Sequence, residues 1–130
     1  MKNILIILLL FLGSFVFGNE QSILDEKQQL EWQDDVEHVE LKLKLAKGYC
    51  SQMSLNGFTD WRIPSKKELV NLFQNKKLKQ KFTYLQDAVY WTKTDDEKDD
   101  LNAYTIYSAN AYISVSDKCD KNFIMCVRDH

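Results

Sequence analysis

The stretch NFIMCVRD, residues 122–129, limits the fold more than any other part of this 130-residue chain. Successive side chains of a strand point to opposite sides. Phe123, Met125 and Val127 therefore share one face, and Ile124 and Cys126 share the other. Apolar residues on both faces predict a central strand packed on two sides. Three earlier runs read as its neighbours: VYWTKT (89–94), AYTIYSAN (103–110) and AYISVSD (111–117). They are short, rich in aromatic and β-branched residues, and separated by polar turns.

Upstream the period changes. Residues 30–35, LEWQDD, alternate as a short strand. Val36, Val39, Leu43, Ala46, Cys50 and Met53 then recur at spacings of three and four, which predicts one continuous helix. Asp34 or Asp35 is placed to cap its free amides, and Asn56-Gly57 ends it or turns the chain just after it. A second helix follows NGFTDWRIPSKKELVNLF, residues 56–73. Ser65 with Glu68 three residues later forms a capping box, Pro64 pushes Ile63 towards an extended conformation, and Leu69, Leu72 and Phe73 make the buried face. Trp61 is expected in the core, with Arg62 paired to Asp60, Asp34 or Asp35. Lys76 to Lys81 reads as a basic connector, and residues 19–29 as a polar N-terminal tail. The domain at 30–130 is thus an α+β fold, two helices packed on short antiparallel strands.

Residues 1–18 stand apart. Lys2 precedes an apolar run from Ile4 to Phe17, and Val16 and Gly18 occupy the −3 and −1 positions of a small-residue cleavage site. This is the anatomy of a signal peptide, and the run is short for a membrane span of roughly 20 residues. The expected location is periplasmic, or secreted to the cell surface, with membrane attachment only through an uncleaved signal. The formal net charge of −2 lacks the basic excess of a general nucleic-acid binder. After export the three cysteines, Cys50, Cys119 and Cys126, are disulfide candidates before they are metal ligands. Three allow one bridge and leave one thiol over.

LEWQDD, the helix ending AKGYC, LNGFTDWRIPSKKEL, YWTKT and FIMCVRD occur in an order that resembles the Lcl C-terminal domain family, over most of residues 30–129. That family was first catalogued as a domain of unknown function and is named for the C-terminal region of a collagen-like bacterial adhesin. The resemblance implies a C-type-lectin-like fold with neighbouring chain ends. It also implies a bridge from Cys50 to Cys126, beside which a Cys119–Cys126 hairpin bridge stays open.

Three segments carry candidate chemistry. Arg62, Lys66, Lys67, Lys76, Lys77, Lys79 and Lys81 lie within twenty residues opposed only by Glu68, a density that suits sulfated or carboxylated polysaccharide. Asp95, Asp96, Asp99 and Asp100 offer carboxylates to Ca²⁺. They lack EF-hand spacing and its glycine, so a solvated hairpin loop is the favoured reading. Cys119 and Cys126 loosely resemble the paired cysteines of oxidising relatives of the fold. No phosphate loop, zinc spacing or serine elbow is present, and His38 falls in a charged helical segment. The expectation is an exported, non-enzymatic binding module without cofactor, whose partner is an envelope protein or a polysaccharide. An adhesin-like binder of anionic glycans and a thiol-based redox protein are the alternatives.

Overall fold

A computed structural model describes residues 21–130; the expected signal peptide lies outside the described residues. At residues 124–127 every side chain has zero exposure, and neighbours diverge into two cores. Met125 and Val127 join Trp32, Leu69, Leu72, Phe73, Tyr90 and Ile106. Ile124 and Cys126 join Leu43, Ala46, Cys50, Trp61, Ile63 and Trp91. The two-faced segment thus divides the interior as its alternation predicts, but it is two strands rather than one. Residues 121–123 belong to one sheet and 127–129 to another, and the three residues between them cross over.

Eight strands and three helices follow along the described residues. They are β1 (Ser22–Asp25), β2 (Leu30–Gln33), β3 (Glu40–Lys42), α1 (Leu43–Ser51), α2 (Lys66–Gln74), α3 (Lys76–Lys79), β4 (Val89–Asp95), β5 (Asn102–Tyr107), β6 (Ile113–Asp117), β7 (Lys121–Phe123) and β8 (Val127–Asp129). One sheet has the order β1-β2-β8 and the other β3-β7-β4-β5-β6. All pairings are antiparallel except β4 with β7, which run parallel at Tyr90 and Phe123. The class is α+β, as the sequence indicates.

The first helix is shorter than its stripe. Val36 and Val39, placed on its buried face by spacing, are 51% and 38% exposed. Residues 34–39 are irregular, and 40–42 form β3. The sheet captures this stretch: Leu41 pairs with Asn122, and the Val39 carbonyl accepts the Ile124 amide at 3.1 Å. Asp34 caps no helix; its carboxylate accepts the amides of Thr83 and Tyr84. The polar tail also contains a strand. Ile23 packs on the first core, and Asp25 turns inward to accept the Trp32 indole N–H at 3.2 Å. Because β1 is only four residues long, its inward side chains leave no stripe in the sequence. The basic connector likewise holds a turn of helix, α3, in which Asn75 accepts the Leu78 amide and Leu78 is buried.

The corner before α2 follows the sequence closely. Asn56 and Gly57 have φ of +56° and +79°, the left-handed pair of a tight two-residue turn. It closes through the Phe58 amide to the Leu55 carbonyl at 3.0 Å. The indole of Trp61 donates into this turn, to the carbonyls of Leu55 and Phe58. Ser65 and Glu68 satisfy each other's backbone amides, at 3.2 and 2.8 Å. Burying side chains such as Trp61 and Leu69 contributes about 1.5–3 kcal/mol each.

Cys50 and Cys126 are bonded to each other, which leaves Cys119 free and excludes a Cys119–Cys126 hairpin bridge. The bond joins α1 to the crossover across a sequence separation of 76 residues. In the chain-entropy model a loop of that length contributes about 4 kcal/mol. Replacing both cysteines with alanine is expected to lower stability by about 2–4 kcal/mol, measured as a shift in the urea midpoint. An unmoved midpoint would mean that the packed crossover alone restrains the loop.

Candidate functional site

Arg62, the first candidate for anion binding, is fully engaged by carboxylates. Its Nη1 and Nη2 donate to Glu68 Oε1 and Oε2 at 2.8 Å each, and Nη2 also reaches Asp129 Oδ1 at 3.0 Å. The partner expected from sequence, Asp60, Asp34 or Asp35, is not the one used. Asp60 instead takes Arg128, whose Nε lies 2.7 Å from Oδ1, while Arg128 Nη1 donates to Glu31 at 2.7 Å. The Arg128 guanidinium also stacks on Phe58, 3.6 Å from the ring centroid. Two arginines thus clasp β8 to β2 and to the corner before α2. Burial opposes the charge of Glu68, but hydrogen bonds from Arg62 and the Ser65 amide outweigh it and hold its pKa at about 2.

The lysines divide by what they touch. Lys66 lies over the Tyr104 ring, 3.9 Å from its centroid. Lys79 donates to the carbonyls of Ser108 and Ala109 at 2.9 and 3.3 Å. Lys67, Lys76, Lys77 and Lys81 are exposed and form no salt bridge among the described residues. Of these, Lys76, Lys77 and Lys81 border two adjoining cavities of about 640 and 580 Å³, which share Asp25, Lys27, Asn75 and Lys77. Together the cavities form a groove between the β1–β2 turn and the α2–α3 junction.

Much of that groove comes from residues the sequence did not single out. Lys27 and Gln28 arrive on the β1–β2 turn, more than forty positions before Asn71, Gln74 and Asn75. The Gln28 side chain fixes the two sides together. Its Nε2 donates to Asp25 at 2.9 Å and to the Glu68 carbonyl at 3.1 Å, and its Oε1 accepts from Asn71 at 3.1 Å. The only local signal for this contact was the polar composition of residues 19–29, which a tail shares.

The other candidates have local partners. Asp95 pairs with Lys118 at 2.9 Å, Asp96 accepts the Lys98 amide, and Asp99 accepts the Leu101 amide. Asp100 is exposed beside them. Three of the four proposed calcium ligands therefore have partners within the loop or next to it. No group of three or more His, Cys, Asp or Glu side chains is placed to hold a metal ion among the described residues. Cys119 is exposed in the turn after β6. His38, expected on a charged helix, is instead 4% exposed in the irregular 34–39 loop.

Fold and site together define a disulfide-tied α+β domain with a lysine- and amide-lined groove beside its arginine clasps. The chain belongs to the Lcl C-terminal domain family, whose model matches residues 21–128. None of the curated proteins matches it.

Arg62→Gln is expected to raise the Glu68 pKa, read by carboxyl NMR titration. The depressed pKa contributes stability above the ordinary glutamate range near 4.5, and this is lost as pH falls towards 2. The variant should therefore lose less stability than the parent across that interval. A Glu68 titration unmoved by the substitution would show that the Ser65 cap alone holds it.

Proposed function

We propose that this is an exported, non-enzymatic binding module of the bacterial envelope, built on a C-type-lectin-like fold. The observation that carries the reading is the groove: Lys27, Lys76, Lys77 and Lys81 surround it and form no salt bridge among the described residues, they outnumber the acids Asp25 and Glu26 there, and side-chain amides line its walls. Ammonium groups attract sulfate or carboxylate, and amides both donate to and accept from hydroxyl groups. That combination suits an anionic polysaccharide better than an apolar protein surface. Arg62 and Lys79 are set aside for structure, so the binding residues are the four groove lysines. The groove is wide and open to water, so affinity rests on several contacts made at once along a polymer.

An envelope protein is the second occupant this reading admits. It would meet the same charge but would not depend on a repeating anionic ligand. A thiol redox role has the exposure of Cys119 in its favour. Dithiol chemistry needs a second sulfur, however, and Cys50 and Cys126 are bonded to each other with zero exposure.

The test is retention on immobilised heparin as a model polyanion. Exposed charge pairs are screened by salt, so elution should come at moderate ionic strength. Replacing Lys27, Lys76, Lys77 and Lys81 with alanine together should abolish retention while leaving the unfolding midpoint within about 0.5 kcal/mol of the parent. Retention unaffected by those four changes would overturn the groove as the site.

A further inference from the structure

We propose that His38 is an acid-operated latch: protonating its ring releases the 34–39 loop and the 83–86 segment from β4. The hydrogen bonds fix the state of the ring. The Gln33 carbonyl, 3.2 Å from Nε2, can only accept, so Nε2 carries the proton. Nδ1 of the neutral ring is then an acceptor, and the Tyr90 hydroxyl at 2.7 Å donates to it. The same hydroxyl oxygen accepts the Gln86 amide at 2.9 Å. This chain is satisfied only while His38 is neutral.

A second ring proton has no place in this arrangement. At Nδ1 it would meet the hydroxyl hydrogen of Tyr90, which would then have to turn away from its acceptor. Tyr90 has zero exposure and lies between the rings of Phe73 and Phe123, at 5.6 and 5.7 Å. Burial lowers the His38 pKa; the Gln33 carbonyl and the Asp34 and Asp35 carboxylates oppose it without prevailing. Those two carboxylates, on the loop of His38 itself, are the charges that reach the ring. From β2 it meets the Gln33 carbonyl and from β4 the Tyr90 hydroxyl, and the Gln86 amide of the 83–86 segment is hydrogen-bonded to that same hydroxyl.

Release of the loop resolves the conflict by returning the charged ring to water. The loop is irregular and exposes Val36 and Val39, so little apolar packing resists. Its departure also loosens Asp34, which holds the amides of Thr83 and Tyr84 at 2.8 Å each. His38 and Asp34 therefore pin one segment from two sides. That segment runs into Gln86 and Asp87, which wall a separate cavity of about 430 Å³ with Lys76 and Lys79. Ser108 Oγ donates to the Gln86 carbonyl at 2.7 Å, and the Ser108 carbonyl accepts from Lys79. Acid thus reaches the basic segment from inside the fold, whatever the groove binds.

The direction follows from linkage. The folded pKa lies below the unfolded value of about 6.5, so the stability of this region is complete above that pH and falls as acid is added. The experiment is NMR of the purified protein from about pH 7.5 to 5, spanning the ordinary histidine range. His38 should titrate below the ordinary histidine value, and the Thr83, Tyr84 and Gln86 amides should move with the same midpoint. In His38→Gln those amides should stay flat over that range. In Tyr90→Phe, which keeps the ring but removes the hydroxyl, the Gln86 amide should stop following while Thr83 and Tyr84 continue. Amides that stay still while His38 titrates, or that titrate unchanged in His38→Gln, would overturn the latch.

Discussion

The fold depends on burial of residues 124–127, the crossover and the first residue of β8. Four consecutive side chains with zero exposure leave the backbone no freedom to shift by one position, because a slip would exchange the contents of both cores. The same segment carries one end of the disulfide and leads into β8, which closes the three-stranded sheet. Gln33 holds it from the other side: its amide donates to the Cys126 carbonyl at 2.9 Å, and its side-chain oxygen accepts the Cys126 amide at 3.0 Å. Helix, sheet and covalent bond therefore converge on one short piece of chain.

What was legible in the sequence was local and periodic. The capping box at Ser65, the left-handed turn at Asn56-Gly57, the buried Trp61 and the β runs all depend on residues a few positions apart. The structure departs from these local patterns where a distant partner decides the outcome. The stripe from Val36 to Met53 is a good helix pattern, yet β7 claims its first part for a sheet. His38 looked solvated among Glu37, Glu40 and other polar neighbours until Tyr90, fifty-two positions later, covered it. The groove was half visible: the lysines of α3 stood out, but Lys27 and Gln28 gave no sign of where the β1–β2 turn would fold back.

Arginine and lysine are used differently in this molecule. Arg62 and Arg128 each hold two carboxylates in fork geometry and bind strands to the α2 corner, which suits a planar group with several fixed donors. The lysines that face the groove are compact charges on long flexible stems, a form suited to a ligand whose charges are unevenly spaced. Counting basic residues in the sequence merges these two populations. Their partners separate them.

The disulfide has a mechanical consequence when the domain is held at both ends. β1 and β8 flank β2 and run in the same direction, so tension between the termini shears the three-stranded sheet instead of peeling it. From Cys50 the load passes through the sulfur–sulfur bond directly to Cys126. Everything between them, including α2, α3 and four strands of the larger sheet, lies off the force path. Tension applied at the two ends would thus load β1, β2, β3, α1 and β8 while leaving Lys76, Lys77 and Lys81 unstretched.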